Sequence, residues 1–80
     1  MEVQAPALCA DLTGEVCPMT FVKAKMLLDR AKADELVGVR LKEGEQLRSV
    51  SMSVKAEGHR IERVEREGDE RYLLFIRKGA

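Results

Sequence analysis

The sequence predicts a two-layer α/β (α+β) sandwich, in which two helices cover one face of a four-stranded mixed sheet. Three observations lead to this fold class. Some segments place apolar residues at every second position, and others place them at helical spacing. Glycines separate these segments. The segments follow the order βαβαββ. A chain of 80 residues is the size of one domain, so we expect residues 1–80 to share a single small core.

The first strand and the first helix are separated by Gly14. Leu8, Ala10 and Leu12 alternate with Cys9 and Asp11, a pattern that predicts a short strand. Beyond Gly14, apolar residues recur at helical spacing and most charged residues lie off their face. The members of this apolar face are Phe21, Ala24, Leu27, Leu28 and Ala31.

The middle of the chain contains a second strand and an ambiguous segment. Alternating apolar residues over Leu36–Leu41 predict the strand, which Gly44 follows. Residues 49–54 alternate with a period of two, as in a strand. The same region places Leu47, Val50, Val54 and Gly58 at spacings of three, four and four, as in a helix that ends at a glycine. Its length over Glu45–Glu57 favours a helix, but the pattern alone leaves both readings open.

Two strands are predicted at the end of the chain. Arg60–Arg66 is a charged strand, and the odd spacing of Ile61 and Val64 indicates a bulge or an edge position. A turn over 67–70 follows. Tyr72–Ile76 is apolar on both faces, which is typical of a central strand.

Composition excludes several classes of protein. The chain has 14 basic and 14 acidic residues, and this zero net charge argues against a dedicated nucleic-acid binder. No stretch approaches the roughly 20 apolar residues of a membrane span. Two cysteines do not form a disulfide scaffold, and the first residues lack the pattern of a signal peptide. We therefore expect a cytoplasmic protein without a membrane partner.

The pair Cys17-Pro18 is the most informative feature of the chain. Proline is favoured at the first position of a helix, where its missing N–H would have no partner. If Pro18 begins the helix, Cys17 occupies the N-cap and faces unpaired N–H groups and the positive end of the helix dipole. That setting favours the thiolate, which is the nucleophilic form of cysteine.

The run Asp11-Leu12-x-Gly14-x-x-Cys17-Pro18, in a chain of this size and element order, resembles the TusA/SirA-like sulfur-carrier family. The similarity extends from Leu8 to Gly79. Family members have a Cys-Pro-x-Pro motif, whereas this chain has Thr20 in place of the second proline. The resemblance implies one TusA/SirA-like domain, a helix in the ambiguous segment, and a cysteine that carries sulfur as a persulfide.

The resemblance also implies the partners. A cysteine desulfurase or a rhodanese would supply the sulfur, and a further protein would accept it, with no metal or organic cofactor. We predict that Cys17 is the reactive group and that Pro18 sets the start of the helix. Such a protein is both carrier and catalyst, so the sequence leaves its status as an enzyme open.

Two neighbours of Cys17 are further candidates for supporting roles. Met19 is expected to lie exposed beside the thiol as a docking contact. Thr20 either donates a hydrogen bond to the sulfur or is a surface threonine that bonds its own backbone. Met26, by contrast, suits core packing.

The remaining candidates favour structural roles. Cys9 is expected to be a packing residue rather than a resolving thiol, and His59 a surface or capping residue. Four basic residues form either a patch for an acidic partner or scattered surface charge: Arg40, Lys42, Arg48 and Lys55.

Sulfur transfer is therefore the predicted function, with two alternatives. The first is a non-catalytic interaction module that binds through the open sheet face, where Leu73, Phe75 and Cys9 are expected. The second is an RNA-binding module of the same fold. Zero net charge and three aromatic residues weigh against direct nucleic-acid binding.

Overall fold

The computed structural model describes residues 6–15 and 19–79. The described elements follow the predicted order βαβαββ. They are β1 (Leu8–Asp11), α1 (Met19–Arg30), β2 (Leu36–Lys42), α2 (Glu45–Ala56), β3 (Arg60–Gly68) and β4 (Arg71–Arg77). The ambiguous segment is a helix, as its length and the family resemblance indicate.

The four strands form one mixed sheet in the order β1-β2-β4-β3. β1 pairs with β2 in parallel, and the other two pairs are antiparallel. β4 is central, as its apolar sequence predicts. β3 lies at an edge, and its register shifts between Ile61 and Arg63 and again between Arg66 and Gly68. The irregular spacing in its sequence therefore reflects both an edge position and bulges.

The main core lies between the helices and one face of the sheet. Inward residues of β2 and β4 alternate with outward ones, so each strand contributes every second side chain to this layer. Both helices add an apolar face. The fully enclosed members are Ala24 and Leu28 of α1, Val50 and Val54 of α2, Val37, Val39 and Leu41 of β2, and Leu74 and Ile76 of β4.

Neither of the two described helices covers the opposite face of the sheet, yet the apolar residues of this face are buried. Leu73 and Phe75 are only 9% and 3% exposed. The Arg63 guanidinium lies 3.9 Å from the centre of the Phe75 ring, a cation–π contact that covers the aromatic face. Pro6 packs on Gly38, where a Cβ atom would lie 3.3 Å from the proline ring. This face therefore presents charged side chains rather than an apolar patch.

Candidate functional site

The loop that follows β1 is shaped by an Asx turn. Asp11 Oδ1 accepts hydrogen bonds from the Thr13 backbone N–H at 3.0 Å and from the Thr13 hydroxyl at 2.6 Å. These bonds hold the pKa of the Asp11 carboxyl below its usual range, since they favour the charged form. The Glu15 N–H also donates to the carbonyl of Leu12 at 3.1 Å. The backbone on the N-terminal side of Cys17 is thus a folded turn.

Glu15, two residues before Cys17, is held by two other parts of the chain. Its carboxylate accepts a hydrogen bond from Lys23 Nζ of α1 at 2.8 Å. Its backbone carbonyl accepts one from Gln46 Nε2 of α2 at 2.7 Å. The other end of the Gln46 amide accepts the Lys42 N–H at 3.0 Å. α1 and α2 therefore both hold the loop that leads to Cys17. Sequence reasoning missed this clamp, because no local motif links Glu15 to Gln46.

The predicted site residues Cys17 and Pro18 lie outside the described residues, so their placement stays a prediction. The first described residue of α1 is Met19, which directly follows Pro18 in the chain. No acidic residue occupies the first turn of this helix. The positive end of its dipole is therefore not offset by a carboxylate of its own first turn.

Thr20 is buried in the first turn of α1, so its interpretation as a surface threonine is wrong. The residue is 2% exposed, and its hydroxyl has no hydrogen-bond partner among residues 6–15 and 19–79. Burying an unpaired hydroxyl costs free energy, since the group loses its bonds to water. The residue that replaces the family's second proline therefore carries, three positions after Cys17, a donor that no described residue accepts.

The outward face of α1 carries three exposed apolar side chains. Met19, Val22 and Met26 are 43%, 39% and 52% exposed. Their spacing of three and four places them on one side of the helix. The exposure of Met19 agrees with its prediction. The prediction that Met26 packs in the core is wrong, because Met26 lies on the side of α1 opposite Ala24 and Leu28.

An open groove of about 350 Å³ runs between β1 and α1. Its lining combines apolar residues with charged residues of both signs. The lining residues are Ala10, Asp11, Leu12, Glu15, Lys23, Met26, Leu27 and Arg30. The groove thus adjoins the clamped loop, and Met26 belongs both to the groove and to the exposed apolar side of α1.

Cys9 is separated from α1 by the sheet. Leu8 and Ala10 pack against the main core, so the intervening Cys9 lies on the opposite face, where it is exposed as a free thiol. Its sulfur lies close to Gly38, where a Cβ atom would be 3.5 Å from the sulfur and 3.5 Å from the Leu73 side chain. The prediction of a packing residue is correct only in part, because the thiol remains exposed.

His59 has a capping role, as predicted. Its backbone N–H donates to the Val54 carbonyl at the end of α2. Its Nδ1 accepts the Gly79 N–H at 3.0 Å, which ties the last residues of the chain to this corner. The preceding Gly58 has φ +93°, the left-handed conformation expected of a glycine that ends a helix.

The basic residues that could form a patch for an acidic partner do not all lie on one surface. They are Arg40, Lys42, Arg48 and Lys55. Arg40 lies on the sheet face opposite the helices and pairs with Glu67 at 2.7 Å. This contact is the main reason that the pKa of Arg40 is raised. Arg48 and Lys55 belong to α2, on the other side of the sheet. Their charges are therefore scattered, as the simpler interpretation expects.

The described residues contain neither a cluster of metal ligands nor a membrane-spanning helix. Across residues 6–15 and 19–79, no three His, Cys, Asp or Glu side chains cluster as metal ligands would. None of the helices described in this range is long and apolar enough to cross a membrane.

Comparison with known proteins gives a consistent result. The model of the family described as Sulfurtransferase TusA matches residues 10–78. A protein of Archaeoglobus fulgidus named "Putative sulfur carrier protein" is 37% identical over 68 residues, which cover 85% of this chain and 77% of that protein. The crystal structure of a SirA-like protein from Desulfitobacterium hafniense superposes with a TM-score of 0.76 at 19% identity. The match covers 91% of this chain and 99% of that one, and it shows the shared fold.

Proposed function

Since this chain belongs to the TusA sulfurtransferase family, we propose that it accepts sulfane sulfur on Cys17 as a persulfide and passes it to an acceptor protein. Sulfur carriage is the function of the family, and the finer steps are our proposal. These finer steps rest on the composition of the start of α1. Its first turn has no carboxylate, and it directly follows Cys17-Pro18 in the chain.

The proposed reaction is thiol–persulfide exchange. The Cys17 thiolate attacks the terminal sulfur of a donor persulfide, a new S–S bond forms, and the donor's S–S bond breaks. The electron pair of the broken bond leaves with the donor cysteine as a thiolate, so no external oxidant or reductant takes part. In the second step an acceptor thiolate attacks the terminal sulfur on Cys17, which leaves as the thiolate again.

The neighbours of Cys17 support this chemistry in different ways. Pro18 fixes the backbone at the start of the helix without losing a needed N–H donor. The helix dipole favours a charged sulfur at this end of α1. Thr20 supplies a hydroxyl that bonds no residue in the described part of the chain, and we assign it to the sulfur. Met19 is an exposed apolar contact next to the motif.

Donor and acceptor proteins would dock on the exposed apolar side of α1, formed by Met19, Val22 and Met26. Unbranched methionine side chains adapt to more than one partner surface, which suits a carrier that meets a donor and an acceptor in turn. The family implies donor and acceptor proteins in general. A cysteine desulfurase or a rhodanese is our proposal for the donor. The thiol chemistry requires a reducing compartment, for which we propose the cytoplasm.

The interaction-module alternatives receive less support. Leu73 and Phe75 lie on the sheet face without helices but are almost fully buried, and Arg63 covers the Phe75 ring. An aromatic residue that stacks on RNA bases must expose its ring. The most exposed apolar side chains of α1 instead follow the Cys17 motif.

Mass spectrometry after sulfur loading tests the proposal. Incubation with a cysteine desulfurase and cysteine, or with a rhodanese and thiosulfate, should add one sulfur atom, about 32 Da, that disappears on reduction. Cys17→Ser should abolish the addition. Cys9→Ser is the matched control, since Cys9 is an exposed thiol on the opposite face of the sheet, and it should load as the wild type does. Loading that persists in Cys17→Ser would place the reactive group elsewhere.

A further inference from the structure

Gln46 connects three segments of the chain that are far apart in sequence. It is the second residue of α2 and is half-buried. Its Nε2 donates to the Glu15 carbonyl at 2.7 Å, and its Oε1 accepts the Lys42 N–H at 3.0 Å. One partner is an acceptor and the other a donor, so both ends of the amide are used and its orientation is fixed. To bond the Glu15 carbonyl and the Lys42 N–H together, a side chain needs a donor and an acceptor at the length of glutamine.

The bond to Glu15 reaches the backbone rather than a flexible side chain. The carbonyl lies two residues before Cys17, at the end of the turn that Asp11 and Thr13 shape. The second tether of Glu15, from Lys23, joins two partly exposed charged side chains. Exposed ion pairs of this kind contribute little and leave the side chains mobile. Gln46 therefore ties the backbone before Cys17 to the first turn of α2, through a bond that does not depend on an exposed charged side chain.

The position of that backbone matters for the thiol. The influence of a helix dipole falls off within the first turn, and hydrogen bonds weaken steeply with distance and angle. A loop free to move would let the sulfur spend time away from the N–H groups of α1, and the thiolate fraction would fall. Small errors in position also slow reactions that require aligned atoms.

We propose that Gln46 is a positioning residue for Cys17, which holds the loop over 12–15 so that the sulfur stays at the start of α1. This inference rests on the proposed function of Cys17. Gln46 itself touches neither the sulfur donor nor the reacting atoms. It acts through the carbonyl of Glu15.

Two charge-neutral substitutions test the inference. Gln46→Met keeps the length of the side chain and removes both hydrogen bonds. Gln46→Asn keeps both polar groups but is one methylene shorter, so it cannot span Glu15 and Lys42 together. Neither variant changes the net charge, so a change in thiol acidity reports the position of the sulfur rather than a new charge. Ser49→Ala, on the same helix, is the control, since Ser49 has no hydrogen bond to the described loop residues.

The readouts are the alkylation rate of Cys17 against pH, the rate of sulfur loading, and denaturant unfolding. Both Gln46 variants should raise the alkylation midpoint by about half a pH unit and slow loading roughly fivefold, the scale of one hydrogen bond. Ser49→Ala should match the wild type in both. Lower stability with an unchanged midpoint and loading rate would overturn the inference, because a merely structural glutamine behaves in that way.

The two proposals fail in different ways. If the wild type takes up no sulfur from either donor system, the proposed carrier function is wrong, and the alkylation profile still decides the role of Gln46. If the wild type loads sulfur and both variants load equally fast with the same midpoint, only the positioning role is wrong.

Discussion

The two sides of α1 differ in what they contribute to the molecule. The inward side buries Ala24 and Leu28 completely against the sheet and encloses Thr20. The outward side leaves Met19, Val22 and Met26 between 39% and 52% exposed. Both sides are apolar, so hydrophobicity alone does not separate them. Only the angular position of each residue around the helix decides which apolar group stabilises the fold.

This difference indicates that the outward apolar residues are not needed for folding. A side chain that remains half exposed gains only part of the free energy of burial. Three such residues in one row, directly after the Cys17 motif, are better explained by contact with a partner protein. Under the proposed function, the same helix serves the core on one side and sulfur transfer on the other.

The largest expected effect is the loss of stability when the inward side is truncated. Leu28→Ala should lower the free energy of unfolding by about 2–5 kcal/mol, because the side chain is fully buried and leaves a cavity. Denaturant unfolding measures the change. Val22→Ala on the outward side should stay within about 0.5 kcal/mol. Equal losses in the two variants would contradict the division between the two sides.

The outward side should matter for sulfur transfer instead. Met26→Asp should slow loading from a donor protein about tenfold, a difference of about 1.4 kcal/mol, because it places a charge in the proposed apolar contact. Stability should be nearly unchanged. Met52→Asp is the control, since Met52 is 66% exposed on α2. A similar loss of rate in both variants would indicate that added charge, rather than this surface, slows the transfer.

Thr20→Val tests the residue on the inward side that carries a polar group. Valine has nearly the same shape and fills the same buried space, so the free energy of unfolding should change by less than about 1 kcal/mol. The pKa of the Cys17 thiol should rise by about half a unit, because a hydrogen-bond donor to the thiolate is lost. A folded variant with an unchanged thiol pKa would show that Thr20 only packs.

The smallest expected effect concerns the Asx turn before α1. The pKa of Asp11 is lowered by its bonds to Thr13, so its folded state favours the carboxylate. Its contribution to stability should be present above its ordinary pKa and should disappear as the pH falls through the lowered value. Unfolding curves of wild type and Asp11→Ala should therefore converge at low pH. A difference that grows under acid would contradict this assignment.

Periodicity predicted the fold because each element buries one regular face. The alternation in β2 and β4 and the helical spacing of Ala24 and Leu28 are local patterns, and the observed elements follow them. The odd spacing of Ile61 and Val64 indicated the bulged edge strand for the same reason. The motif around Cys17 also lies within one short run, so the family resemblance was visible without any structure.

Contacts between distant segments were decided only by the tertiary structure. Met26 is apolar and sits in an amphipathic helix, but the sequence does not show which apolar residues the sheet covers. Thr20 is polar, but its place on the inward side of α1 buries it. Gln46 meets Glu15 across 31 residues because α2 packs beside α1 and its first turn lies next to the β1 loop. The sequence by itself determined the elements, their order and the cysteine motif, since these depend on neighbouring residues. The burial of Thr20, the exposure of Met26 and the tether from Gln46 depend on how the two helices pack on the sheet, so only the folded chain decided them.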